Sequence, residues 1–342
     1  MKRIGINGLG RIGRLVLLHF LNDSSKDIEI VAANDLTEMK DLVYLLKYDS
    51  VHGIFPYNVE YTKNKIEIID DENNKSTIKI YHEKNPKDIP WKELGIDIVL
   101  ECTGVFRRRN DAAKHLQAGA KKVIISAPSK SADLTIVQGV NDETYDHTKH
   151  HIISNASCTT NSLAPVIKVL NDRFNLKHIL VTTIHAYTSS QNLIDGSSRK
   201  RRRGRAAAIN LVPTTTGAAK ATELVIPELK GKMDAKAVRV PVVDGAITDI
   251  VAEFEDIVSK NKINNAFKEA SENGLNGILG YTEEELVSSD IIGDTHSGIV
   301  DGLSTMVIDD HMAKILVWYD NEAGYAKKLL ELAEKISKQM EN

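Results

Sequence analysis

Gly8-Leu9-Gly10-Arg11-Ile12-Gly13 stands between a short apolar segment, residues 4–7, and a stretch with apolar residues at helical spacing, residues 11–21 (Ile12, Leu15, Val16, Leu18). A second apolar run, Ile28–Asn34, follows. Strand, helix and strand in this order make a βαβ unit, the seed of a parallel sheet. The glycines fit a turn that cradles a pyrophosphate. Gly8 permits the tight bend, Gly10 lets backbone approach the phosphates, and Gly13 allows the helix to pack closely on the strand. The helix N-terminus offers N–H groups and partial positive charge to the same anion. The second run ends in Asn34-Asp35, 22 residues beyond Gly13. A carboxylate near that spacing accepts hydrogen bonds from ribose hydroxyls. Asp35 would also repel a 2′-phosphate, which favours NAD over NADP.

Working outward, the first half continues to alternate strands (residues 96–102, 122–126 and 134–137) with a helical stretch at 111–118. Residues 54–82 read as an antiparallel hairpin inserted in the domain, with polar turns at Asp70, Asp71, Asn73 and Asn74. The second half opens with a helix at 162–174 and a strand at 179–183. A long basic connection follows at 187–215, of a length that is usually functional or disordered. Strands at 237–241, 247–255, 306–309 and 314–319, a helix at 262–272 and a last helix at 325–340 complete the chain. The fold class expected is α/β: a Rossmann dinucleotide-binding domain plus an α/β catalytic domain with a mixed sheet. The 342 residues suit about two domains at roughly 150 residues each. With 44 basic and 47 acidic residues the net charge is -3, which argues against a general nucleic-acid or membrane-surface binder. Two cysteines exclude a secreted disulfide scaffold. Met1 runs into Lys2, Arg3 and an Ile-Gly-Ile segment without a signal-peptide stretch, and no run reaches membrane-span length. A cytoplasmic protein with reduced thiols is the expectation.

Of the two thiols, Cys102 lies in an apolar run and reads as a buried strand residue. Cys158 stands in Ser154-Asn155-Ala156-Ser157-Cys158-Thr159-Thr160-Asn161, just before a periodic apolar helix. A thiolate at a helix N-terminus is stabilised by the dipole and by unpaired N–H groups, so a lowered pKa is expected. His185 closes a strand, where functional residues of such sheets gather, and could pair with Cys158 as base and acid. A structural role for that histidine is the alternative. His147, His150 and His151 cluster in a polar turn without a cysteine, so no metal site is expected. Thr214-Thr215-Thr216-Gly217 opens a helix, either as an anion site or as a plain N-cap. Arg239 sits mid-strand and needs a carboxylate or a phosphate beside it. Residues 199–205 carry six basic residues in seven. They read as a nucleic-acid patch, as a solvated loop, or as a loop with arginines facing the active site and a neighbouring subunit. The last two are preferred because no aromatic residues accompany the run.

These residues resemble the phosphorylating glyceraldehyde-3-phosphate dehydrogenase family along almost the whole chain. The match is carried by residues 4–14, 154–161, 205–208 with 213–220, and by Trp318-Tyr319-Asp320-Asn321-Glu322 leading to Gly324-Tyr325. The resemblance implies that Cys158 is the nucleophile and His185 the base. It assigns Ser157, Thr159, Thr216 and Gly217 to the attacking phosphate, and Thr188, Arg203 and Arg239 to the substrate phosphate. It assigns Gly8, Gly10, Arg11, Ile12, Asp35, Lys84, Ser126 and Asn321 to the dinucleotide, Asn321 to its carboxamide. It also implies a homotetramer acting on glyceraldehyde 3-phosphate and inorganic phosphate. The domains expected are 1–156, 157–322 with the loop 187–215, and a helix at 323–342 packed back on the first. Several positions depart from the family pattern: Ser189-Ser190, Gly196-Ser197, Ser162, Ala323 and Lys84. Gly196-Ser197 is similar to the NADP-using photosynthetic members and leaves NADP use open. Alternatives carried forward are an erythrose-4-phosphate dehydrogenase, and a dinucleotide-binding protein whose main partner is RNA or protein through residues 199–205. Nucleic acid is not expected as the primary partner.

Overall fold

A computed structural model describes residues 1–23, 27–70 and 74–340. The chain divides into two compact units. The first comprises residues 1–136, 144–156 and 326–342, and the second comprises 137–143 and 157–325.

In the first unit the strands are β1 (Lys2–Asn7), β2 (Ile28–Asn34), β3 (Tyr48–Asp49), β4 (Gly53–Ile54), β5 (Asn58–Tyr61), β6 (Lys65–Ile69), β7 (Lys75–Tyr81), β8 (Ile98–Glu101), β9 (Lys122–Ile125), β10 (Leu134–Thr135) and β11 (Ile152–Ser154). The helices are α1 (Arg11–Asn22), α2 (Met39–Lys47) and α3 (Arg109–Gln117). Among the described residues one sheet runs β10-β11-β9-β8-β1-β2-β7-β6-β5. It is parallel from β10 to β7 and antiparallel beyond. Strand side chains alternate between its two faces. Ile98, Leu100 and Ile124 join α1, α2 and the last helix in one core, while Val99, Val123 and Ile125 pack on the opposite side, with Trp91 and α3. The segment expected to be an inserted antiparallel hairpin does pair antiparallel, β5 with β6 and β6 with β7. β7 pairs parallel with β2, so β5 to β7 extend the main sheet at its edge. Asp71 and Asn73 of the expected turns lie outside the described residues.

In the second unit the strands are β12 (Leu176–Ala186), β13 (Val212–Thr215), β14 (Met233–Val240), β15 (Ala246–Phe254), β16 (Leu279–Thr282), β17 (Gly298–Ile308) and β18 (Met312–Tyr319). The helices are α4 (Cys158–Phe174), α5 (Ala218–Val225) and α6 (Lys260–Glu272). The sheet order is β13-β14-β12-β15-β18-β17-β16, mixed in direction, with β12 parallel to β14 and antiparallel to β15. Ala246, Thr248, Ile250, Ala252 and Phe254 alternate inward along β15, and Ala313, Ile315, Val317 and Tyr319 along β18. α4 packs on this face. The loop 187–215 is not featureless. It contains short turns at Arg201–Gly204 and Ala207–Ile209 and ends in β13, the sheet's edge. Gly204 is required there, because a Cβ would lie 2.3 Å from the Gly196 carbonyl oxygen.

The last helix, α7 (Ala323–Gln339), places Ala326, Leu329, Leu330, Leu332, Ala333 and Ile336 in the core of the first unit. Among the described residues no helix is long and apolar enough to cross a membrane.

Candidate active site

The glycine turn behaves sterically as its spacing requires. Gly8 has φ +96°, a backbone conformation that side chains rarely adopt. A Cβ on Gly13 would sit 2.1 Å from the Gly8 carbonyl oxygen, so α1 lies against the turn only because residue 13 has no side chain. Gly10 has open space where its Cβ would project, and no side chain caps α1. These features fit a dinucleotide pyrophosphate, which needs a bare backbone and a helix N-terminus. Asp35 is fixed by the Leu9 N–H (2.7 Å) and the Thr37 N–H (2.9 Å), both donating to its carboxylate. The turn and the end of β2 are thereby joined. Arg11 sends its guanidinium to Asp49. Burial would raise the Asp49 carboxyl, but hydrogen bonds from Arg11 and from the His52 and Val51 N–H groups hold it at about 2. Ile12 is half-buried in the first turn of α1, Ser126 follows β9, and Lys84 is exposed beyond β7.

Beneath this region runs a buried polar chain that the motif did not announce. The Trp91 Nε1–H donates to His115 Nδ1 (2.9 Å). Since Trp can only donate, His115 carries its proton on Nε2 and donates to Glu101 (2.9 Å). The Asn7 amide also donates to Glu101 (2.6 Å), and Asn34 donates to Asn7 (2.8 Å). This chain ties the carboxyl ends of β1, β2 and β8 together. Cys102 is packed nearby, and burial pushes its thiol far up, consistent with an inert core thiol.

In the second unit α4 begins earlier than its apolar spacing suggested, at Cys158 rather than Ser162. Ser157 is its N-cap, with its hydroxyl accepting from the Thr160 N–H (3.1 Å). Cys158 is therefore the first helical residue. His185 is the last residue but one of β12 and is 3% exposed, with Nε2 3.5 Å from Cys158 Sγ. Arg239 is its in-register neighbour on β14. One guanidinium nitrogen of Arg239, Nη1, lies 2.6 Å from His185 Nδ1 and donates to the Ala186 carbonyl (2.7 Å). Burial, then the Arg239 charge, hold the His185 imidazole down to about 3, so the ring is neutral at physiological pH. Burial pushes the Cys158 thiol up, although the residue keeps part of its surface open. The Arg239 charge and hydrogen bonds from Thr159 pull it back. The lowered thiol pKa expected from the helix N-terminus alone is thus outweighed by burial.

Tyr319 links the start of α4 to β12, and sequence reasoning reached it only as part of a motif. Its hydroxyl is 3.0 Å from Thr159 Oγ1 on α4 and 2.8 Å from Thr183 Oγ1 on β12. Its ring meets His185 edge-on, centroids 6.0 Å apart. No local pattern marks such a residue, because its partners lie 160 and 136 positions away.

The anion candidates collect in the same unit. Arg203 donates to Thr214 Oγ1 and to Ser190 Oγ (both 3.0 Å), and Ser190 is 2.8 Å from Thr188 Oγ1. Of the basic run, Arg203 and Lys200 turn towards these threonines. Lys200 donates to Thr215 (2.6 Å) and Arg205 pairs with Asp195 (2.8 Å). Thr216 accepts from the Ala218 N–H (3.2 Å), and Gly217 caps α5 with open space beside it. Among the described residues the buried polar atoms that lack a partner include Arg239 Nε and Asn321 Oδ1. Buried polar groups are ordinarily satisfied, so each is a point at which a bound group fits.

The chain is similar to known proteins in both units. Residues 2–109 match the family described as glyceraldehyde 3-phosphate dehydrogenase, NAD binding domain, and residues 157–321 match its C-terminal domain. The chain is 51% identical over 338 residues to a glyceraldehyde-3-phosphate dehydrogenase of Priestia megaterium, covering 98% of each chain. It is 50% identical over 336 residues to glyceraldehyde-3-phosphate dehydrogenase 1 of Bacillus subtilis, again covering 98% of each. It is 51% identical over 335 residues to the glyceraldehyde-3-phosphate dehydrogenase of Geobacillus stearothermophilus, with 98% coverage. With both of its halves matched and such relatives along nearly its full length, the chain belongs to the glyceraldehyde-3-phosphate dehydrogenase family.

Proposed function

We propose that this chain oxidises D-glyceraldehyde 3-phosphate with inorganic phosphate to 1,3-bisphosphoglycerate, the phosphorylating dehydrogenase step of glycolysis, using NAD. The observation that carries the reading is Cys158 at the first position of α4, with Sγ 3.5 Å from His185 Nε2 and Arg239 beside that imidazole. Cys158 Sγ attacks the aldehyde carbon and forms a hemithioacetal. The Cys158 N–H, at the helix N-terminus, faces the oxygen on which charge develops. His185 takes the hydroxyl proton at Nε2 as the carbon is oxidised, leaving a thioester on Cys158. A bound dinucleotide supplies the acceptor for the hydride. Inorganic phosphate, met by Ser157, Thr159, Thr216 and Gly217, attacks the thioester carbon and expels the Cys158 thiolate. Arg239, Arg203 and Thr188 hold the substrate's own phosphate. Gly8, Gly10, Arg11, Ile12, Asp35, Lys84 and Ser126 hold the dinucleotide, and Asn321 its carboxamide.

Asp35 supports NAD over NADP, because a 2′-phosphate would meet a carboxylate already fixed by two N–H donors. Leu193, Ile194, Ile209 and Leu211 are each at least 70% exposed on the loop 187–215. Apolar exposure on that scale supports association through this loop, and the family resemblance makes the assembly a homotetramer. Both cysteines are unpaired, which suits a reducing, cytoplasmic location. The test is dinucleotide reduction from glyceraldehyde 3-phosphate with and without phosphate, with NAD and NADP compared, and light scattering for the mass. Product formation requires phosphate and runs faster with NAD. Cys158→Ala abolishes it while leaving NAD affinity within twofold. Substantial turnover by that variant, or a preference for NADP, refutes the corresponding part of the reading.

A further inference from the structure

Glu101 is the last residue of β8 and is 1% exposed. Four donors converge on its carboxylate. Oε2 accepts from the Asn7 amide (2.6 Å) and from His115 Nε2 (2.9 Å). Oε1 accepts from the Thr103 N–H (2.9 Å) and from the Thr103 hydroxyl. Among the described residues no lysine or arginine pairs with it. The polarity of this chain is fixed from both ends. At one end the Trp91 indole can only donate, which turns the His115 proton towards Glu101. At the other the Asn34 amide clasps the backbone of Glu83, accepting from its N–H (2.8 Å) and donating to its carbonyl (3.0 Å). Asn34 also donates to Asn7 Oδ1 (2.8 Å), so neither amide can turn over without setting donor against donor.

The groups held in this way border the glycine turn. Thr103 lies against Gly8, where a Cβ would come 2.9 Å from the Thr103 nitrogen. The Thr103 hydroxyl also accepts from the Val105 N–H (3.1 Å), which orders the loop beyond β8. The Glu101 carbonyl accepts from the Ser126 N–H (3.0 Å), and Glu83 directly precedes Lys84. We propose that Glu101 is a positioning residue for the dinucleotide, setting through Thr103 and Asn7 the width of the turn that receives the pyrophosphate. The inference rests on the reading above, in which Gly8, Gly10, Arg11 and Ile12 hold that group. A carboxylate suits the task because it only accepts, and its two oxygens take all four donors. Bonds to an ionised acceptor are shorter and stronger than neutral ones. A border stiffened in advance has less freedom to lose when the ligand arrives. Glu101→Gln keeps the shape but replaces one acceptor by an NH2 group. In either orientation that group meets a donor that cannot turn, the Thr103 backbone N–H or the His115 Nε2–H locked by Trp91.

Calorimetric titration of the full chain with NAD and with ADP-ribose, at a temperature where every variant is folded by circular dichroism, reads the effect. Glu101→Gln raises both Kd values about tenfold, the scale of one lost buried hydrogen bond. Its kcat at saturating NAD and its KM for glyceraldehyde 3-phosphate stay within about twofold, which a general loosening of the fold would not spare. Thr103→Val also weakens binding, and the double variant binds within about twofold of Glu101→Gln, because both changes cut one tether. Unchanged Kd values in Glu101→Gln overturn the proposal. Losses that multiply in the double variant overturn the route through Thr103. If Glu101→Gln does not fold, the exposed Thr103 carries the test: Thr103→Val weakens binding and Thr103→Ser restores it, and equal affinity of both variants and the wild type overturns the proposal. A wild-type chain that binds neither ligand overturns the dinucleotide reading itself, whereas a wild type that binds both with variants equal to it overturns the role of Glu101 alone.

Discussion

Tyr319→Phe removes one oxygen and leaves the ring, so the packing volume is kept and the hydroxyl is isolated as the cause of any effect. That hydroxyl joins Thr159 at 3.0 Å to Thr183 at 2.8 Å, and the three side chains are 1%, 5% and 1% exposed for Tyr319, Thr159 and Thr183. Each such bond contributes about 1 kcal/mol net, and buried hydroxyls left behind cannot turn to water. A loss of about 2 kcal/mol follows. Burial pushes the phenol's pKa up, so it is protonated across the neutral range and the loss is independent of pH there. The same bonds hold the first turn of α4 to the strand bearing His185. Their removal therefore slackens the site where Thr159 is proposed to meet phosphate, and the KM for phosphate rises about tenfold, the equivalent of roughly 1.4 kcal/mol. Urea unfolding followed by circular dichroism, at fixed protein concentration because association adds to apparent stability, gives the first quantity. Initial rates against phosphate concentration give the second. A stability change below about 0.5 kcal/mol with unchanged KM would refute the tether.

Two further outcomes follow from the first unit. Gly13→Ala forces a Cβ to within 2.1 Å of the Gly8 carbonyl oxygen, so the turn must open, and dinucleotide affinity measured by calorimetry falls at least about tenfold. Asp49 has a folded-state pKa of about 2, below its unfolded value, so its contribution is complete above about pH 4 and is lost as pH falls towards 2. Asp49→Asn accordingly costs about 1–2 kcal/mol at pH 7, after allowance for solvent screening, and its deficit shrinks below pH 4. Chemical denaturation at pH 7, 4 and 3 checks both points.

How far the sequence reached depended on whether a feature was local. Gly8, Gly10 and Gly13 are constrained by one turn and one helix, and the structure gives each the steric setting its spacing implied. The β15 and β18 alternation and the apolar face of α7 were likewise visible. α2 escaped notice because it is short and presents Lys40, Asp41 and Lys47 among its apolar residues. α4 was begun too late because Thr159, Thr160 and Asn161 look like cap residues, yet they are buried and helical behind the Ser157 cap. The edge strands β5 to β7 looked like a separate hairpin because nothing in a hairpin's own sequence states which sheet it joins.

By itself the sequence determined the class of fold, and it nominated the glycine turn and its acid, the candidate cysteine and histidine, and the cationic residues. Each of these is read from a short local run of residues. Only the tertiary structure decided the protonation and coupling of those groups. It buried Cys158 and His185, so that solvation rather than the helix end governs their charge. It set Arg239 beside His185 through strand register, and it chose Tyr319 to bridge Thr159 and Thr183. The reason is physical. Burial and hydrogen-bond polarity are properties of everything packed around an atom, and most of what surrounds these atoms is distant in the chain.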